Sequence, residues 1–123
     1  MHDLEALAGL PEVSSRGALT RVVHGKSAAV LFVYSPSCYW SQVRAPEWAS
    51  ATRGLRGFWR FNAVPQPGDR TATQMFQQVL GPDGTIQYYP MILGISRQGR
   101  IVEYNGELER HKLQTFLAGL NAV

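Results

Sequence analysis

The sequence is poor in cysteine: Cys38 is the only one among 123 residues. A single thiol excludes an internal disulfide framework and a zinc site built from cysteines. The three histidines are far apart and none stands at ligand or triad spacing from a carboxylate, so we predict no metal and no cofactor. Runs of about 18 apolar residues are also missing, which predicts no membrane span. The first residues lack a signal-peptide pattern, and the compartment stays open.

Acidic residues are fewer than basic ones, nine against twelve, and the net charge is +3. The most basic segment contains Arg53, Arg56 and Arg60 and is interleaved with the aromatic residues of 58–61. This pattern predicts a solvated rim around a buried strand, although an acidic protein partner or nucleic acid would also suit it. Because no nucleic-acid-binding motif accompanies the cluster, we predict no nucleic-acid partner.

Length and a 45% hydrophobic content predict one globular domain over residues 1–123. Hydrophobic periodicity and turn residues predict alternating helices and strands. The helices are predicted at 3–10, 16–24, 39–53, from a cap at Asp69 or Thr71 to Leu80, and 107–120; the strands at 28–34, 58–64, 91–96 and 100–104, with a short one from Val13. An α/β part followed by a hairpin and a helix predicts a mixed sheet with helices on both faces.

Cys38 lies between a predicted buried strand and a predicted helix. The unpaired N–H groups and the positive dipole at a helix N-terminus favour a thiolate there. A second cysteine three residues later would form a dithiol centre, but that residue is Ser41, whose hydroxyl either donates to the thiolate or is simply solvated. A buried, inert thiol is the alternative for Cys38. The turn before a helix favours an exposed and reactive one.

Aromatic residues surround the thiol in the sequence. Tyr39 and Trp40 follow it directly, and Tyr89 and Met91 come near it if the Pro90 peptide is cis. These five residues predict an apolar surface that binds an extended client segment. The alternatives are a Trp40 ring packed on its own helix and an ordinary trans turn at Pro90.

Four features in this order resemble a thioredoxin-fold domain of the protein disulfide isomerase family. They are Ser35-Pro36-Ser37-Cys38 after a hydrophobic strand, Ala45-Pro46-Glu47-Trp48, Tyr89-Pro90, and the segment Arg97–Gly106. The resemblance covers nearly the whole chain. It implies the thioredoxin fold, an α/β architecture with a mixed central sheet, together with a cis Pro90 and thiol chemistry on protein clients at Cys38.

Three positions depart from the pattern of this family. Ser41 replaces the resolving cysteine, Phe32 replaces a buried acid that serves as its proton acceptor, and Met91 replaces a threonine after the cis proline. A buried carboxylate is costly unless it has a task, and the task disappears with the second thiol. The paired loss favours a native monothiol domain over an engineered Cys→Ser substitution, which would not explain Phe32.

The Cys-x-x-Ser motif is similar to that of the monothiol endoplasmic-reticulum member of the family. This implies transient mixed disulfides with protein or peptide clients, in the endoplasmic reticulum or secretory pathway, and at most weak thiol–disulfide exchange or isomerase activity. Monothiol glutaredoxins share a related motif, but their glutathione-binding lysine and Gly-Gly-Cys-Asp segment are missing. The alternative is a redox-silent interaction module in which Cys38 is dispensable.

Overall fold

The computed structural model describes residues 3–63, 71–81 and 86–122. The elements alternate as predicted, beginning with a 3₁₀ helix over Asp3–Leu7. They continue as α1 (Arg16–Val23), β1 (Ala29–Tyr34), α2 (Tyr39–Thr52), β2 (Phe58–Asn62), α3 (Thr71–Leu80), β3 (Met91–Ile95), β4 (Ile101–Glu103) and α4 (Arg110–Ala122). Most bounds differ from the predicted ones by one or two residues.

The four strands form one mixed sheet in the order β2-β1-β3-β4. β1 pairs parallel with β2 and antiparallel with β3, and β3 pairs antiparallel with β4. Every residue of β1 is buried, as expected for a continuous apolar strand covered on both faces. The predicted α/β architecture with a mixed central sheet is therefore confirmed.

The side chains of β1 alternate between two hydrophobic clusters, one on each face of the sheet. Phe32 and Tyr34 point to the cluster that contains Trp48 of α2, and α4 contributes its buried leucines to the same cluster. Leu31 and Val33 point to the opposite cluster, which contains the buried side chains of α1. Helices thus cover both faces of β1. The chain leaves the core at the C-terminal end of this strand, where it continues toward α2.

Two predicted elements near the N-terminus are shorter in the structure. The first helix is a 3₁₀ turn that ends at Leu7. Gly9 has a φ of 83°, a backbone conformation that is incompatible with a continuing right-handed helix. The strand predicted from Val13 is a single parallel bridge between Glu12 and Arg60. Because the chain leaves β2 after one bridge, this segment covers an edge of the sheet without adding a strand.

The last helix begins later than predicted, at Arg110, and reaches Ala122. The hydroxyl of Tyr104 donates to the carbonyl of Glu107 over 2.6 Å, so this carbonyl is engaged outside a helix. The first helical hydrogen bond here runs from Leu113 to Glu109. The predicted cap at Asp69 lies outside the described residues.

Candidate functional site

Cys38 is the N-cap residue of α2 and has an extended backbone, with φ −88° and ψ 125°. Its N–H donates to the carbonyl of Ser35 over 3.0 Å, and its carbonyl accepts from Gln42 over 3.1 Å. The turn after β1 therefore ends at the first turn of α2, and this geometry leaves the thiol partly exposed. The structure does not seal the sulfur in the interior, so the buried-thiol alternative is wrong.

The loop before β3 brings a second segment to the thiol. The Tyr89–Pro90 peptide is cis, as predicted. The Cys38 thiol donates to the Tyr89 carbonyl over an Sγ–O distance of 3.6 Å, across 51 residues of sequence. β1 and β3 are antiparallel neighbours in the sheet, so the C-terminal end of β1 lies beside the N-terminal end of β3. This places Cys38, shortly after β1, close to Tyr89, shortly before β3.

Ser41 is completely buried, with a relative exposure of 0%. Its Oγ accepts a hydrogen bond from the backbone N–H of Ser35 over 3.1 Å. The solvated-hydroxyl alternative is therefore wrong. The hydrogen bond that the structure shows for the Cys38 thiol goes to Tyr89, so donation from Ser41 to a thiolate stays a prediction. Ser41 ties the first turn of α2 to the end of β1 and thereby holds the cysteine in place.

Two aromatic rings stand in solvent beside the thiol. Tyr39 is 66% exposed and Trp40 is 58% exposed. The rings meet edge to face with their centroids 5.2 Å apart. More than half of the Trp40 residue is exposed, and the ring that it meets belongs to Tyr39 of the same helix. Exposed apolar surface of this kind is typical of a contact site for another chain.

The Trp40 ring also forms one wall of a surface cleft of about 390 Å³. α2, the cis-proline loop, the start of β3 and the turn before α4 all contribute residues to its lining. The lining residues are Trp40, Arg44, Tyr88, Tyr89, Pro90, Ile92, Asn105, Gly106 and Leu108. Tyr89 lines the cleft and its carbonyl contacts the Cys38 thiol, so the cleft and the sulfur adjoin the same residue.

Met91 is placed differently from the other predicted client-binding residues. It is only 5% exposed, and its Sδ accepts from the Gln87 N–H over 3.5 Å. The side chain belongs to the hydrophobic cluster beneath β3 and not to the exposed surface. Tyr39, Trp40, Tyr89 and Pro90 therefore lie near the thiol. Met91 instead packs in the buried cluster under the cis-proline loop.

Phe32 fills the position where the resembling family has a buried acid. Its ring stacks on Trp48 with centroids 5.1 Å apart and on Tyr34 with centroids 5.7 Å apart. All three side chains are buried. The space under α2 is thus occupied by aromatic carbon, which offers no group to accept a proton from a residue of the first helical turn.

The Tyr34 hydroxyl lies next to a charged pair. Arg60 approaches it over 3.4 Å and also binds the Glu12 carboxylate over 2.7 Å. Burial raises the pKa of Tyr34, and the nearby Arg60 guanidinium partly opposes this shift. Arg60 is therefore engaged in a partly buried ion pair, which differs from the solvated rim predicted for the basic cluster.

Arg44 and the turn at 105–108 also belong to the site, although neither was predicted from the sequence. A signal for Arg44 exists in the sequence, because it follows Trp40 by four residues and such pairs share one face of a helix. The turn carries no such signal, since its position depends on how β4 returns along β3. Within residues 3–63, 71–81 and 86–122, no group of three potential metal-ligand side chains occurs. In the same ranges, no helix is long and apolar enough to cross a membrane.

No protein-family model and no curated protein sequence matches the chain. Solved structures do match it. The J-Trx1 fragment of ERdj5 has a TM-score of 0.64 at 20% identity, over 89% of this chain and 50% of that fragment. Malassezia sympodialis thioredoxin (Mala s 13) has a TM-score of 0.61 at 17% identity, over 90% of both chains.

The first thioredoxin domain of mouse protein disulfide-isomerase A4 has a TM-score of 0.61 at 17% identity. The match covers 89% of this chain and 73% of that one. The chain spans half the length of the ERdj5 fragment. These likenesses, with the sheet order and flanking helices described above, show that the chain has the thioredoxin fold.

Proposed function

We propose that this thioredoxin-fold chain is a monothiol protein of the protein disulfide isomerase type, which binds protein or peptide clients beside Cys38 and forms transient mixed disulfides with them. The observation that carries the proposal is the contact of the partly exposed Cys38 thiol with the Tyr89 carbonyl at the cis proline. The exposed rings of Tyr39 and Trp40 adjoin this contact and offer a client apolar surface.

In the proposed reaction the Cys38 thiolate attacks one sulfur of a client disulfide. A bond forms between Cys38 Sγ and that sulfur, the client S–S bond breaks, and the second client sulfur leaves as a thiolate. Oxidation states balance because the client disulfide is the only oxidant required.

Release of the client needs a thiol from outside this sequence, since Cys38 is its only cysteine. Ser41 occupies the resolving position with a buried hydroxyl, and Phe32 gives that position no buried base. The protein is therefore expected to capture clients or exchange disulfides slowly, and not to catalyse net oxidation or reduction by itself. The proposed family type also favours the endoplasmic reticulum or secretory pathway as the compartment.

The test uses scrambled ribonuclease A as a disulfide-bearing client. After incubation with the protein, the reaction is stopped with acid and separated without reductant, and the adducts are identified by intact mass. We expect a one-to-one adduct that dithiothreitol removes and that Cys38→Ala does not form. Ser37→Ala changes a neighbouring residue and serves as the control that keeps the adduct.

A second candidate function is a redox-silent module that docks clients through the same surface. The exposure of Tyr39 and Trp40 favours it, because their contact area does not depend on the thiol. This alternative predicts that Cys38→Ala binds unfolded ribonuclease as tightly as the original protein and that no adduct forms with either. Loss of binding in a Trp40→Ser variant is expected in both cases, so the adduct alone separates the two functions.

A further inference from the structure

We infer that the cleft beside Cys38 selects client segments that carry an acidic side chain two residues from the reacting cysteine, and that Arg44 reads this charge. The inference rests on the proposed function, since it assigns a client class to the same thiol. Among the described residues that line the cleft, Arg44 is the only one with a formally charged side chain. Its occupant is thus expected to be an extended, mainly apolar peptide with one negative charge.

The charges around the cleft support an anionic client. Two acidic side chains lie close to it, and each already faces a cation: Glu47 binds Arg44 over 3.2 Å, and Glu107 binds Lys112 over 2.7 Å. Lys112 therefore offsets Glu107, whereas Glu47 shares Arg44 with an incoming client carboxylate and weakens the preference for an acidic peptide without abolishing it. The net charge of +3 draws such a peptide toward the protein from a distance, an attraction that added salt weakens.

Arg44 has hydrogen-bonding capacity left for a ligand. Both of its hydrogen bonds to Glu47 come from one nitrogen, Nη1. In the part of the chain that the structure describes, its Nη2 and Nε donate to no other group. The Arg44–Glu47 pair is half exposed on the helix surface, and such pairs contribute little. A client carboxylate can therefore bind the outer nitrogens without first breaking a strong contact.

The spacing follows from helix and strand geometry. Arg44 stands six residues after Cys38 on α2, which is about 9 Å along the helix axis. An extended peptide advances about 3.3 Å per residue, and side chains two positions apart point the same way. Arg44 lines the same cleft as Tyr89, whose carbonyl contacts the thiol. A peptide that lies along this cleft with its sulfur at Cys38 is therefore expected to bring the side chain two residues away, about 6.6 Å on, toward the long Arg44 side chain. The one residue between them is expected to lie over the apolar lining of the cleft, to which Trp40 and Leu108 belong.

The test compares two short peptides that differ in one residue. Each holds a cysteine in mixed disulfide with 2-mercaptoethanol, which leaves as a thiolate and carries no other charge, and has aspartate or asparagine two residues away. We expect the aspartate peptide to form the Cys38 adduct about threefold faster at low salt, within the range of exposed ion pairs. The difference should vanish near 0.5 M salt and in Arg44→Gln, and should persist in the control Arg56→Gln, which changes an exposed arginine away from the cleft.

A Glu47→Gln variant sharpens the test, because it frees Arg44 and should increase the preference for aspartate. Adducts that form at equal rates with both peptides would overturn the inference and leave the proposed function standing. If neither peptide reacts, the proposed function fails instead. In that case the cleft is titrated in a Cys38→Ser variant with the same peptides carrying serine for cysteine, and equal or undetectable binding of the two overturns the inference as well.

Discussion

Ser41 offers a direct measure of how the cysteine is held. Its buried Oγ accepts the N–H of Ser35 over 3.1 Å, and Ser35 is itself buried. In Ser41→Ala this N–H loses its partner in a place that water does not reach. An unsatisfied buried donor costs about 1–3 kcal/mol, which is a large part of the stability of a small domain. With a urea m-value of about 2 kcal/mol/M, the midpoint should fall by roughly 1 M.

The assay is equilibrium unfolding in urea, followed by circular dichroism for the helices and by tryptophan fluorescence. Ser50→Ala is the matched control, because Ser50 lies on the same helix with an exposed side chain. Its free energy of unfolding should stay within about 0.5 kcal/mol of the original protein. The reasoning is refuted if the two variants unfold at the same urea concentration, since Ser35 would then have another partner.

Two further predictions concern the aromatic cluster under α2. Phe32→Ala removes a ring stacked on Trp48 and should lower the free energy of unfolding by about 3–5 kcal/mol in the same urea assay, and a loss below 1 kcal/mol would contradict the packing. Burial raises the pKa of Tyr34 in the folded protein above the value of about 10 that it has in the unfolded chain. Between these two pKa values only the unfolded chain ionises, so the free energy of unfolding should fall as the pH rises above about 10. In thermal unfolding from pH 9 to 11, Tyr34→Phe should lose less stability with rising pH than the original protein, and Tyr39→Phe is the control. If Tyr34→Phe loses stability with pH as steeply as the original protein, the fall does not come from Tyr34.

The elements of this fold were readable from local patterns. The continuous apolar run of β1 predicted a strand covered on both faces, and the structure places it inside the sheet with every residue buried. The helix predicted at 16–24 is observed as α1, and the Ser15 Oγ accepts from the Ala18 N–H as an N-cap does. The end of the chain was less readable. Helix α4 starts three residues late because Tyr104 holds the Glu107 carbonyl, and that contact depends on the turn as a whole.

The site divides in a similar way. Cys38 at a helix start, its exposed aromatic neighbours and the cis proline followed from sequence motifs. The fate of Ser41 and Met91 did not, because burial depends on what packs against a residue. The Ser41 hydroxyl turned out to face the end of β1, and Met91 turned out to lie beneath the loop that it was expected to line.

By itself, the sequence determined the order of helices and strands, the position of the thiol at a helix start and the lack of a resolving partner, because these depend on neighbours along the chain. Only the tertiary structure decided that the Tyr89 carbonyl meets the sulfur and that Arg44 faces the turn at 105–108 across a cleft. Those contacts join segments that are distant in the sequence and that the sheet brings together. Sequence spacing alone does not state which strands are neighbours or which of their ends lie side by side.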